Sequence, residues 1–120
     1  MINPQVDKDT VLVIRTDGSR EVLKITKGTL LKTVHSAIGA ETLDMARIGK
    51  ADDTDLVMAV DDAGYETEEI NHGGGRFELR PIRARKPYNQ TATWLYHAIC
   101  RPGTTHQIVG DVAIFHDGDV

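Results

Sequence analysis

Two hydrophobic rhythms alternate along this chain. Val11-Leu12-Val13-Ile14 is an unbroken aliphatic run that ends at Thr16-Asp17-Gly18-Ser19. Asp-Gly after such a run predicts a hairpin, with Glu21-Val22-Leu23-Lys24-Ile25 as the return strand. Leu30, Leu31, Val34 and Ile38 then fall at i, i+1, i+4 and i+8, which predicts a helix over residues 29–38. Gly39 stands where a left-handed cap is expected. Strands follow at 42–48 and 55–60, and Asp61-Asp62-Ala63-Gly64 closes the second as a turn.

Residues 64–88 break this rhythm. They read as two extended arms, 65–70 and 76–83, joined by Asn71-His72-Gly73-Gly74-Gly75. Three consecutive glycines suit a hairpin tip or a mobile loop, and Pro81 marks the second arm as an edge strand or as ending there. Asn89 is a good N-cap for a helix at 90–100, with Ala92, Leu95, Tyr96 and Ile99 as its core stripe and Pro102-Gly103 as its stop. A last strand spans 106–115, with Gly110-Asp111 as a bulge within it.

The order is β-β-α-β-β, a hairpin excursion, then α-β. This predicts one α+β domain over 11–115 with an inserted arm at 64–88, a flexible lead-in at 1–10 and a polar tail at 116–120. The sheet is mixed or antiparallel with about five to seven strands, and the two helices pack on it. The first half is β-grasp-like, an analogy of fold that carries no functional weight.

The chain has 120 residues, of which 40% are hydrophobic and 27% charged, as in an ordinary globular domain. Aromatics are 5%, so aliphatic side chains must fill the core. The net charge of -4 argues against coating an extended nucleic acid or an anionic membrane. Cys100 is the one cysteine, which excludes an internal disulfide and a cysteine zinc site. No apolar run approaches the roughly 20 residues of a membrane span, and no signal region follows Met1. A cytoplasmic location is expected.

Four segments carry a family likeness: Leu30-Leu31-Lys32-Thr33-Val34 leading into Ile38-Gly39, Val60-Asp61-Asp62-Ala63-Gly64, Asn89-Gln90-Thr91-Ala92-Thr93-Trp94-Leu95-Tyr96, and Gln107-Ile108-Val109-Gly110-Asp111-Val112. In order and character they resemble the small domain-of-unknown-function 3846 family of bacteriophages and their bacterial hosts. The likeness covers most of residues 11–115, and the Asn-x-x-Ala helix followed by Ile-Val-Gly-Asp-Val is its most distinctive part. The chain departs from the family between Gly64 and Asn89, where the family has a shorter connection. The resemblance implies a phage or prophage accessory protein in the host cytoplasm. It supplies no activity, cofactor or catalytic residue.

The excursion also segregates charge. Residues 51–69 hold Asp52, Asp53, Asp55, Asp61, Asp62, Glu66, Glu68 and Glu69 without Lys or Arg, whereas 76–86 hold Arg76, Arg80, Arg83, Arg85 and Lys86 against Glu78 alone. One reading pairs the two arms through opposite charges across the hairpin. A second is an anion site, in which arginine forks grip phosphate, Gly73–Gly75 line a nest, and Tyr88 and Trp94 stack a base. A third is a protein-docking surface. Trp94 lies off the core stripe, so the helix either is buried on two sides or presents Trp94 as an interface anchor.

Catalytic constellations are weak. His72-Gly73-Gly74-Gly75 is similar to an oxyanion loop, but no G-x-S-x-G elbow accompanies it. The histidines lack metal-ligand spacing, and His116-Asp117 with Asp111 or Asp119 offers at most a weak cation site. Cys100 and His97 can meet at i, i+3, but the sequence shows neither an oxyanion site nor an activated thiolate, and a semi-buried, inert cysteine is the expectation. The expectation is therefore a non-enzymatic protein without a cofactor or metal. It acts through protein–protein contacts and self-association, the alternative being a nucleotide- or anion-sequestering domain. The candidate surface comprises Gly73, Gly74, Gly75, Arg76, Arg80, Arg83, Arg85, Lys86, Tyr88 and Trp94.

Overall fold

An antiparallel strand that is apolar at successive positions needs cover on both of its faces. The computed structural model, which describes residues 5–51, 54–99 and 107–120, supplies that cover with one helix on each side. The elements are β1 (Thr10–Ile14), β2 (Arg20–Lys24), α1 (Leu30–Ile38), β3 (Leu43–Ala51), β4 (Thr54–Asp61), β5 (Tyr65–Gly73), β6 (Arg76–Ala84), α2 (Gln90–Ile99) and β7 (Val112–His116). A short 3-10 turn, Asp117–Asp119, ends the chain's regular structure. The fold is a small α+β domain.

Five strands form one antiparallel sheet in the order β2-β1-β7-β4-β3, and β5 and β6 form a separate two-stranded ribbon. Alternation sorts the central strands onto two cores. Val11, Val13, Val57, Ala59, Ala113 and Phe115 meet Leu30, Val34 and Ile38 of α1. Leu12, Ile14, Leu56, Met58, Val112 and Ile114 meet Ala92 and Leu95 of α2. A bulge in β3 between Arg47 and Gly49 turns Ile48 into this second core, where it is fully buried. The hairpin-then-helix order of the first half is present, and α2 adds a third layer.

The expected helix cap is in place: Gly39 adopts φ 65°, and its N–H donates to the His35 carbonyl. Several details differ from the sequence pattern. Leu31, placed on the core stripe, is exposed, because the buried face of α1 is the narrower Leu30–Val34–Ile38 line. Gly110, with φ 77°, is not a bulge within the last strand; it breaks the strand, leaving Tyr88–Val109 as an isolated bridge.

The tail expected at 116–120 starts one residue too early. His116 is buried, with one ring nitrogen on the Val6 carbonyl and the other on Thr54 Oγ1. The Val6 carbonyl can only accept, so Nε2 carries the proton. Val6 is itself buried, so part of the expected lead-in belongs to the core. The Asp9 N–H donates to Asp119, tying the two ends together. Asp52, Asp53, Cys100 and His106, together with Pro102-Gly103, lie outside the described residues. Among those described, no helix is long and apolar enough to cross a membrane.

Candidate functional site

The excursion leaves the body through a clamp. The Arg85 N–H donates to the Gly64 carbonyl at 2.8 Å, and the Gly110 N–H donates to the Pro87 carbonyl at 2.7 Å. Lys86 Nζ lies 2.6 Å from Asp61 Oδ2 and donates to the Ile38 and Gly39 carbonyls at 3.3 and 3.2 Å. A cation on the last carbonyls of α1 also complements the helix dipole. Arg15, the residue after β1, does the same, donating to the Ala37 carbonyl at 2.6 Å and to Asp111 at 2.9 Å.

Asn89 closes the clamp from inside. It is fully buried; its Nδ2 donates to the Ile14 and Gly110 carbonyls, and its Oδ1 accepts from the Ala92 N–H as the cap of α2. Thr93 Oγ1 accepts from the Ile108 N–H at 2.9 Å. The two most distinctive segments of the sequence thus meet in one structural lock, a role sequence reading assigned to Asn89 only as a cap.

Beyond the clamp the ribbon projects. The chain measures 47 × 30 × 29 Å, and its radius of gyration of 15.2 Å exceeds the roughly 13.5 Å of a compact domain of this length. Every residue of β6 is exposed. Residues opposite one another in an antiparallel pair share a face, so the register separates two faces. Glu66, Glu68, Glu78, Arg80 and Arg83 occupy one, with Ile70 opposite Glu78. Phe77, Leu79 and Pro81 line the other, opposite Asn71, Glu69 and Thr67. A shift at Glu66/Thr67 leaves Ile82 as the extra residue near the root.

Both arginines of the charged face are paired within the ribbon. Arg83 Nε donates to Glu66 at 3.0 Å, and Arg80 Nε and Nη2 donate to Glu78 at 3.2 and 3.1 Å. His72 Nε2 lies 3.5 Å from the same Glu78. Arg83–Glu66 crosses the hairpin as expected, whereas Arg80 turns along its own strand in place of facing Glu68. Arg76 sits at the exposed tip. The arginines do not converge on a pocket, and Lys86, placed on the candidate surface, is held at the root.

Gly73, Gly74 and Gly75 have φ of 82°, 62° and 78°. Positive φ at both Gly74 and Gly75 is what a tight two-residue hairpin turn demands, and the Gly73 N–H donates to Asn71 Oδ1. The triplet is a hairpin tip, and no nest arrangement is needed to account for it.

The apolar face continues onto the body. Phe77, Leu79, Ile82, Tyr88 and Trp94 are 60, 70, 53, 47 and 55% exposed. Trp94 therefore stands outside the packed face of α2. A concavity of ≈ 330 Å³ at the arm's root is lined by Tyr65, Pro81, Ile82, Arg83, Tyr88 and Gln107 among others. A groove of ≈ 650 Å³ beside α2 is lined by Tyr88, Gln90, Thr91, Trp94, His97 and Gln107. They share Tyr88 and Gln107, so they meet. Tyr65 braces the junction by donating its hydroxyl to the Gln107 carbonyl at 2.6 Å; burial, then the neighbouring Tyr88, raises its pKa.

Sequence reading missed Phe77, Leu79, Ile82, Tyr65 and Gln107. The signal for the first two was present as the period-2 alternation in Arg76-Phe77-Glu78-Leu79-Arg80-Pro81. Comparison with family models, curated proteins and solved structures found no match to this chain.

Proposed function

We propose that this chain is a non-enzymatic protein-binding module, of the phage or prophage accessory kind implied by its sequence resemblance. A doubly covered sheet holds out an amphipathic arm, and the arm's uncovered apolar face is the recognition surface. The observation that carries the reading is the continuity of Phe77, Leu79 and Ile82 with Tyr88 and Trp94. Aromatic anchors beside a groove are what binding hot spots use, and a two-stranded hairpin with one apolar face needs a partner for independent stability.

The charges favour this reading over anion sequestration. Arg80, Arg83 and Lys86 already have carboxylate partners, so an entering phosphate must displace them. The test is affinity capture with wild-type protein and the Phe77→Ser/Leu79→Ser variant as parallel baits, scoring both foreign proteins and a second tagged copy of the chain. Specific retention by wild type that the variant loses supports the reading. Identical capture by both baits overturns it.

A further inference from the structure

We infer that the occupant of the apolar face is the same face of a second copy, with the two arms stacked antiparallel about a two-fold axis near Pro81. This rests on the protein-binding reading and names its partner. Three features of the arm argue for it.

The first is self-complementarity along its length. Phe77 and Leu79 lie toward the tip, Tyr88 and Trp94 lie at and beyond the root, and Pro81 lies between on the same face as Phe77 and Leu79. An arm of nine residues spans about 30 Å, so its tip reaches the root of an antiparallel neighbour. Each copy then sets its aliphatic and aromatic tip against the other's tyrosine and tryptophan. A two-fold contact of this kind satisfies both copies at once.

The second is charge. Residues 65–84 carry four glutamates (Glu66, Glu68, Glu69, Glu78) and three arginines (Arg76, Arg80, Arg83), a formal charge of -1 against -4 for the chain. The Arg80–Glu78 pair lies on the opposite face, where stacking leaves it in water. Glu69, opposite Leu79, and Arg83, at the root concavity, are the charges the contact touches, and most of the mutual repulsion stays with the bodies.

The third is area. At about 150–250 Å² per fully exposed aromatic, the exposed fractions of Phe77, Tyr88 and Trp94 amount to roughly 300 Å². With Leu79, Pro81 and Ile82 each copy contributes on the order of 500 Å², so the pair buries about 1,000 Å² in total. That is about the threshold for a specific interface, in the class of weak and transient contacts; the affinity itself is set by the aromatic anchors and their arrangement and not by the area.

Sedimentation equilibrium from about 5 to about 200 µM reads an association of this weak class. Wild type is expected to move from monomer toward dimer across it. Phe77→Ser/Leu79→Ser and Trp94→Ala change exposed side chains and are expected to keep the far-UV spectrum while weakening association at least about tenfold. Arm direction is read by thiol cross-linking in a Cys100→Ser background: Pro81→Cys is expected to cross-link to itself, and Arg76→Cys at the tip is not. A wild type that stays monomeric throughout overturns the second-copy assignment, as does stronger cross-linking at Arg76→Cys. Either result leaves the binding reading to the capture experiment, where a foreign protein lost from the arm variant still supports it.

Discussion

Replacing Lys86 by methionine tests whether the clamp at the arm's root is a structural element. Methionine keeps the aliphatic stem and removes the ammonium group. The Asp61 side chain is 8% exposed, and it loses the partner at 2.6 Å while keeping the Ala63 N–H at 2.9 Å. Removing one member of a buried pair costs about 3–5 kcal/mol. Lys86 is 27% exposed and Asp61 retains a donor, so water screens part of the loss; a hydrogen bond to a charged group, worth about 1.5–3 kcal/mol, is the better guide. Loss of the cation from the α1 C-terminus adds about 0.3–1 kcal/mol. The sum is about 2–4 kcal/mol, or a fall in Tm of roughly 8–16 °C for a chain of this size.

The pH dependence identifies the cause. Burial raises the Asp61 pKa, but the Lys86 hydrogen bond, the Ala63 N–H and the charges of Lys86 and Arg85 outweigh it, and the net shift is downward. A carboxyl depressed in the folded state stabilises it fully above the unfolded value of about 3.9, and that contribution is lost as pH falls through the lower folded value. The gap between wild type and Lys86→Met is therefore widest at neutral pH and narrows below about pH 4. Thermal melts followed by circular dichroism at pH 7 and pH 3 read this directly. Asp61→Asn keeps the acceptor for Ala63 without the charge, so adding Lys86→Met to it should cost under about 1 kcal/mol. A single variant melting within about 2 °C of wild type at pH 7 refutes the clamp.

Three further outcomes are expected. Asn89→Ala leaves the Ile14 and Gly110 carbonyls and the Ala92 N–H without their buried partner, a loss of about 3–5 kcal/mol in urea unfolding; a change under about 1 kcal/mol contradicts the lock. His116→Phe keeps the ring and removes its bonds to Thr54 and Val6, costing about 1–3 kcal/mol by the same assay, whereas an unchanged midpoint contradicts the buried role of His116. Mono-, di- and cyclic nucleotides at millimolar concentration should not raise the Tm, because the arginines are dispersed; a dose-dependent rise returns the anion reading to first place.

What was legible in the sequence was local. Val11–Ile14 with Asp17-Gly18 specified the first hairpin, and Gly39 specified the end of α1, because each depends on neighbouring residues. Leu31 was misassigned because an i, i+4, i+8 line defines the centre of a helix's buried stripe and leaves its margin open. His116 and Lys86 were misplaced for another reason: their partners Val6 and Gly39 stand 110 and 47 residues away. A polar residue reads as surface until the fold brings an acceptor to it. Charge drew attention to the arginines, yet Arg80 and Arg83 are paired within the ribbon, and the quieter alternation of Phe77 and Leu79 marked the side left uncovered.

The clamp and the apolar face also depend on one another. An arm free to swing loses entropy on docking, whereas one held at a fixed angle brings its aromatic and aliphatic positions to a partner already arranged. Lys86, Arg85 and Asn89 set that angle by fastening both ends of the excursion to α1, to the Asp61–Gly64 turn and to Gly110. Two classes of variant should therefore separate. Changes at Phe77 or Leu79 lower association and leave the melting temperature alone. Lys86→Met lowers both, and its effect on association persists at temperatures well below its own melt, where the body remains folded and only the direction of the arm has been released.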